Sequence, residues 1–131
     1  MQKISFTLIV LVLLHTQMQG QGIPKYTAIV GGQEGGSIAR GAFLAQQGVG
    51  GMRFLAGNHW EPIRIDSFSI VVQRDTAIVF KNKVIGQIFD TKLKERMKEI
   101  IKGDRIIICN IYGHGPENIP IFIRPIEFII E

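Results

Sequence analysis

The 131-residue sequence has room for one domain, and 46% hydrophobic residues can supply its core. Its net charge of +4 is mild, and basic and acidic residues are mixed along the chain, which excludes the clustered basic patch of a nucleic-acid-binding protein. A single cysteine excludes an internal disulfide.

Residues 1–22 predict a secretory signal peptide. Lys3 precedes an apolar run from Ile4 to Leu14, and a polar stretch then ends in small residues. A membrane-spanning helix needs about 20 apolar residues, which this run does not reach. We therefore expect cleavage after Gly22, or alternatively after Gly20, and a mature domain over residues 23–131 in the periplasm or secreted. A retained short anchor is the other interpretation of the same run.

The mature sequence reads as short strands separated by glycine and proline turns. In chain order, the predicted elements are a strand at 23–30, a turn or two of helix at 37–46, strands at 52–56 and 62–72, a hairpin of 76–80 and 84–88, a helix at about 91–102, and strands at 104–112 and 121–131. This pattern predicts a mainly β fold, an antiparallel β-sandwich with one α-helix.

Three local irregularities carry further predictions. The alternation of apolar residues slips at Asp66, which indicates a bulge or a strand that passes from one sheet to another. Asn82 is suited to the left-handed turn of the predicted hairpin. Pro125 indicates either an edge position or a break into two short strands.

The predicted helix has clear boundaries. Asp90 or Thr91 can cap its start, and Gly103 stops it. One face is apolar at helical spacing, through Leu93, Met97, Ile100 and Ile101.

The glycine cluster between Val30 and Ser37 has the position of a phosphate-binding loop but not its chemistry. A Walker loop needs a lysine before the Ser or Thr, whereas here Gly36 precedes Ser37 directly and Glu34 adds a negative charge. The glycines also do not fit the GxGxxG spacing. We therefore expect no bound nucleotide and a sharply turning backbone instead.

No residue pattern predicts catalysis, a cofactor or a metal site. His59 and His114 lack a second His or Cys at ligand spacing and are expected in exposed turns. Cys109, on one strand face with Ile107 and Ile111, is expected to be a small buried apolar residue and a poor nucleophile.

Protein interaction is the better use for the turn that holds His59, Trp60 and Glu61. A tryptophan in a polar turn is typical of a binding hot spot, although Trp60 could also fold back to plug the core. The predicted interaction residues are His59, Trp60, Glu61 and His114. The alternative is a small exported enzyme or inhibitor, in which His59, Trp60 and His114 share one pocket.

Five segments in register resemble the C-terminal domain of the gliding-motility protein GldM, called PorM in type IX secretion. They read VGGQEGGSIAR from Val30, GVGGMRFL from Gly48, IRIDSFSI from Ile63, KGDRIIICNI from Lys102 and GP at Gly115, and span nearly all of 27–131. The resemblance implies a periplasmic, immunoglobulin-like sandwich from a Bacteroidetes-type bacterium. Members are non-catalytic parts of a machine that links an inner-membrane motor to outer-membrane components.

The chain matches only one domain of that family, so we expect a stand-alone relative that binds other envelope proteins. Strand addition at a sheet edge is one available binding mode. The terminal strand around Pro125 is the expected edge, and it would also allow a homodimer.

Overall fold

The computed structural model describes residues 25–55 and 59–131, so the predicted signal peptide lies outside the described residues. These ranges form eight strands, two short α-helices and one 3-10 turn. The elements are β1 Lys25–Ile29, β2 Gly36–Ile38, α1 Arg40–Leu44, β3 Gly50–Leu55, β4 His59–Arg74, β5 Ala77–Ile85, α2 Thr91–Met97, β6 Arg105–His114, the 3-10 turn Pro116–Asn118, β7 Pro120–Ile123 and β8 Ile126–Ile130.

The strands form one sheet curled into a half-barrel, which confirms the mainly β prediction. The sheet order is β1-β3-β4-β6-β8-β2, with β5 paired to β4 and β7 paired to β6. The 16-residue strand β4 pairs first with β3 and then with β5. The prediction of a purely antiparallel sheet is wrong in one place, because β2 runs parallel to β8.

The slip at Asp66 is a real irregularity in β4. The pairing of β4 with β6 shifts between Ile65 and Ser67 and again between Ser67 and Ser69. The change of partner from β3 to β5 falls in the same region, since β4 pairs with β3 as far as Ile63 and with β5 from Ser67 onward. The predicted bulge is therefore confirmed.

The hairpin prediction at Asn82 is wrong. β5 runs straight through this residue, which pairs with Ile70 of β4, and the turn lies instead at Asp75, whose φ is +58°. Asp tolerates the left-handed region almost as well as Asn, and the apolar pairing of β5 with β4 decides between the two sites.

The last predicted strand is broken near Pro125 into β7 and β8. This confirms the prediction of two short strands. β8 is an internal strand, because it pairs with β6 on one side and with β2 on the other. The expected edge around Pro125 is therefore found in β7, which among the described residues pairs with β6 alone, and not in β8.

The second helix is shorter than predicted. α2 starts at the cap Asp90, whose Oδ1 accepts the Leu93 N–H at 2.8 Å, but it ends at Met97. Beyond Met97, tertiary partners engage backbone groups: Arg40 donates to the Lys98 carbonyl at 2.9 Å, and Asp104 accepts the Ile101 N–H at 2.9 Å. The turn or two of helix predicted at 37–46 is confirmed as α1, although the fold class named only the longer helix.

The core lies on the concave side of the sheet, under α1 and α2, and contains Phe43, Phe68, Ile70, Met97, Ile106, Ile108, Ile111 and Phe128. Cys109 is only half-buried, so its prediction as a buried residue is wrong. The neighbouring Asn110 has a φ of +50°, which shifts the alternation and puts Ile111 on the core side with Ile108.

The glycine cluster makes the expected sharp turn. Val30 and Gln33 exchange backbone hydrogen bonds of 3.0 and 3.1 Å across Gly31 and Gly32, whose φ angles are +60° and +78°. Two consecutive positive φ angles suit a type I′ turn, which favours glycine. The cluster joins β1 to β2.

Candidate functional site

Trp60 lies near the start of β4 and not in a turn or in the core. It is 42% exposed, and its ring packs on Phe54 of β3 with the centroids 4.6 Å apart. The two residues face each other because Phe54 and Trp60 are register partners in the β3–β4 pair. The interpretation of Trp60 as a plug of the core is therefore wrong.

A second aromatic pair lies on β6 and β7. Tyr112 and Phe122 are also register partners, with ring centroids 5.0 Å apart. They are 50% and 62% exposed, and Ile119, just before β7, is exposed as well. Large apolar side chains usually avoid water, so an exposed aromatic pair marks a surface that could bind a partner.

Three charged or titratable side chains separate the two aromatic pairs. Asp66 accepts a hydrogen bond from Arg64 Nε at 3.0 Å and contacts His114 Nδ1 with its other oxygen. The register joins these residues, because Arg64 of β4 is the partner of His114 of β6. Arg64 therefore supplies a cation beside the Asp66 carboxylate, and His114 lies against the second oxygen of the same carboxylate.

These residues share one face of the sheet. Trp60 and Arg64 are four positions apart on β4 and point the same way, while the intervening Ile63 points to the core. His114 and Tyr112 are two positions apart on β6 and also share a side. We call this surface the outer aromatic face and define it by Phe54, Trp60, Arg64, Asp66, Tyr112, His114 and Phe122.

His59 and Glu61 lie on the opposite side of β4, in line with the buried Ile63. Glu61 accepts a hydrogen bond from Arg53 Nε at 3.1 Å, and His59 Nε2 lies 3.5 Å from the second oxygen of Glu61. The hydrogen bond from Arg53 lowers the pKa of Glu61 below its ordinary value. Glu61 is therefore a carboxylate paired with a cation, which suits a structural ion pair.

The four predicted interaction residues thus separate into two sets. Trp60 and His114 lie on the outer aromatic face, whereas His59 and Glu61 lie on the other side. His59 is five residues, or about 17 Å, from the β4 position that pairs with His114. The shared pocket of the alternative hypothesis does not form, because each histidine contacts a different carboxylate. Both histidines lie in strands, so their expected turn location is wrong.

Sequence reasoning missed Tyr112, Phe122, Arg64 and Asp66. The exposure of Phe122 could have been predicted from the run Ile121 to Ile123, because alternation in a short strand points the middle of three apolar residues outward when its neighbours are buried. The pairing of Phe122 with Tyr112 depends on the β6–β7 register, which single strands do not reveal.

A cavity of about 210 Å³ lies between β1 and the β7–β8 break. Its lining contains none of the four predicted interaction residues; it consists of Lys25, Tyr26, Thr27, Glu34, Ile123, Arg124, Pro125 and Ile126. Within residues 25–55 and 59–131, no three His, Cys, Asp or Glu side chains are grouped as metal ligands. No helix in the described part of the chain is long and apolar enough to cross a membrane.

Comparison with models of known protein families gives no match, and comparison with curated proteins gives none either.

Proposed function

We propose that the chain is a non-catalytic, exported protein-interaction module that binds through the outer aromatic face. Its partners are other envelope proteins of a gliding or type IX secretion machinery. After cleavage of the signal peptide, the protein is located in the periplasm or is secreted from the cell. The observation that carries the binding role is the pair of exposed aromatic contacts, Phe54–Trp60 and Tyr112–Phe122, on one side of one sheet.

The chemistry of this face supports binding of a protein. Tryptophan, tyrosine and arginine are the residues most enriched in binding hot spots, and the face contains all three. Each aromatic ring is held by its neighbour before any partner arrives, so little side-chain freedom is lost on binding. The Arg64–Asp66–His114 cluster adds directional polar contacts between the two apolar areas.

Two sequence features support the location and the machinery. The signal-peptide pattern of residues 1–22 supports export. The five segments that resemble the GldM C-terminal domain support an envelope role in gliding or type IX secretion. The immunoglobulin-like sandwich is part of the same proposal, and the long β4, which changes partners midway, supports it.

The test is affinity capture from the native periplasm with crosslinking, which compares the mature wild-type protein with Trp60→Ala and Phe122→Ala. Both variants should recover less of an envelope or secretion-system protein than the wild type. Ile101→Ala is the matched control, because Ile101 is also an exposed apolar residue but lies in the turn after α2.

Two results would contradict the proposal. If capture recovers no envelope protein, the proposed association with a gliding or type IX secretion machinery is excluded. Equal recovery by the wild type, Trp60→Ala and Phe122→Ala excludes the outer aromatic face. Circular dichroism of each variant verifies that the fold is retained, which is expected because both side chains are exposed.

A further inference from the structure

β5 has one free edge. Among the described residues it pairs with β4 alone, and its nine residues run for about 30 Å. Backbone N–H and C=O groups along the other side of such a strand are available to a further strand. β5 is the longest edge strand of the sheet, since β1 has five residues, β2 three and β7 four.

The outward side chains of β5 follow a definite order. Phe80 and Val84 point to the core, so Lys81, Lys83 and Ile85 point outward. The register shift between Val72 and Gln73 adds a residue in β5 and puts Ile78 outward as well, opposite Gln73. The outer row of β5 therefore has apolar residues at both ends and two lysines between them.

Protection of an edge explains only part of this row. Lysines on an edge strand prevent pairing with other chains, and Lys81 and Lys83 serve that purpose. Protection does not explain Ile78 and Ile85, which are 58% and 78% exposed at the two ends of the same strand. Exposed isoleucines on an edge strand favour pairing with another strand. The combination of isoleucines and lysines therefore favours one kind of partner strand and disfavours others.

A second copy of the chain is a poor partner for this edge. Antiparallel self-pairing centred on Lys81 or Lys83 places that lysine opposite itself, and pairing centred on Asn82 places Lys81 opposite Lys83. Like charges directly opposite each other destabilise a strand pair. Neither lysine has an ion-pair partner among the described residues, so both charges are available to a carboxylate.

We propose that β5 accepts an extended acidic segment of another protein as an added antiparallel strand. The segment places carboxylates opposite Lys81 and Lys83 and apolar side chains opposite Ile78 and Ile85. Backbone hydrogen bonds to the free edge hold it, and the two charge pairs set its register. This edge meets the outer aromatic face at one point, because Ile85 of β5 and Tyr112 of β6 both pair with Ser67 of β4. The two proposals are tested at different residues, Lys81 and Lys83 here and Trp60 and Phe122 there, so either can fail alone.

The probe is a nine-residue synthetic peptide with glutamates opposite the two lysines, isoleucines opposite Ile78 and Ile85, and threonine elsewhere. The control peptide has lysines in place of the glutamates. Calorimetry should show tighter binding of the glutamate peptide, by roughly 2- to 30-fold for two cross-strand charge pairs. The double variant Lys81→Glu/Lys83→Glu should reverse this preference, and its fold should be retained because both side chains are exposed.

Strand addition is separated from simple charge attraction by a third peptide, in which alternate backbone nitrogens of the glutamate peptide are methylated. Methylation keeps every charge but removes the donors, so binding should be lost. Amide hydrogen exchange should also slow along β5 when the unmodified peptide binds.

Four results with the peptides would overturn the proposal. They are equal affinity of the glutamate and lysine peptides, no binding by either, retained binding of the methylated peptide, and unchanged exchange along β5. Sedimentation that shows a dimer whose β5 amides are already protected would overturn it too, because a second copy would then occupy the edge.

Discussion

Asp104 provides the sharpest test of what holds this fold together. Its carboxylate is almost fully buried, with 1% of the side chain exposed, and it accepts two hydrogen bonds from Arg74, from Nε at 2.8 Å and from Nη2 at 2.9 Å. It also accepts the Ile101 N–H at 2.9 Å, while its own carbonyl accepts the Ile130 N–H at 2.9 Å. Asp104 therefore joins the end of β4, the turn after α2, the start of β6 and the end of β8.

The expected effect of Asp104→Ala follows from these contacts. Hydrogen bonds to a charged group contribute about 1.5–3 kcal/mol each. Arg74 is 40% exposed and regains water when the carboxylate is removed, so the low end of the range applies to its two bonds. The two bonds from Arg74 alone therefore predict a loss of about 3 kcal/mol in the free energy of unfolding, which is a large fraction of the usual 5–15 kcal/mol.

The measurement is urea unfolding followed by circular dichroism and by Trp60 fluorescence. The midpoint should fall with an unchanged slope, and the thermal midpoint should fall by about 12 °C. Glu95→Ala is the control, because it breaks an ion pair with Lys98 in which both side chains are exposed, and it should leave the midpoint unchanged. A loss below about 1 kcal/mol for Asp104→Ala would refute the reasoning, because the buried pair would then contribute no more than a surface pair.

Three further predictions concern pH and backbone. The hydrogen bonds from Arg74 hold the pKa of Asp104 below its ordinary value. The stabilisation by the Asp104 carboxylate is therefore present above about pH 4 and is lost as the pH falls further. In a plot of the unfolding free energy against pH, Asp104→Asn should reduce the fall in stability below about pH 4. Gly48→Ala should lower the free energy of unfolding, measured in urea, by roughly 1–3 kcal/mol, because the new Cβ would overlap the Gln87 carbonyl oxygen. Gly41→Ala in α1 meets open space and should raise the same free energy by about 0.5–1 kcal/mol. Equal effects of the two substitutions would show that the close approach at Gly48 does not matter. Asn110→Ile should lower the unfolding free energy by about 1–2 kcal/mol, because a β-branched residue disfavours a φ of +50°. Asn110→Gly should be tolerated. An isoleucine variant as stable as the wild type would show that the positive φ at this bulge is not required for the fold.

Local signals were enough to predict much of the fold. The cap at Asp90, the irregularity at Asp66 and the break at Pro125 each depend on the chemistry of one residue or on the alternation of a few neighbours. The structure confirms all three. Such features can be predicted because no distant part of the chain competes with them.

Distant partners explain the main errors. α2 ends early where Arg40 takes the Lys98 carbonyl from 58 residues away, and no pattern inside the helix indicates this. Asn82 lies in a strand because its neighbours pair with β4, which outweighs its turn propensity. In the candidate site, a lone tryptophan in polar surroundings was recognisable, whereas the partnership of Tyr112 with Phe122 required the register of two strands.

The position of Tyr112 on the outer aromatic face depends on two bulges that lie side by side. Going from Ile65 to Ser67 on β4 covers two residues while β6 advances by one, from Gly113 to Tyr112, so Asp66 is the extra residue on β4. Going from Ser67 to Ser69 covers two residues while β6 advances by three, from Tyr112 to Cys109, so β6 carries its own extra residue beside Asn110. The two insertions compensate, and the strands stay in register on both sides.

The consequence concerns which side chains meet water. Strict alternation from the buried Ile108 would point Tyr112 and His114 into the core and Ile111 outward. The extra residue on β6 exchanges these positions, so Ile111 completes the core while Tyr112 joins Phe122 outside. The paired bulges therefore support a binding role for the outer aromatic face, since bulges commonly re-aim side chains toward functional surfaces.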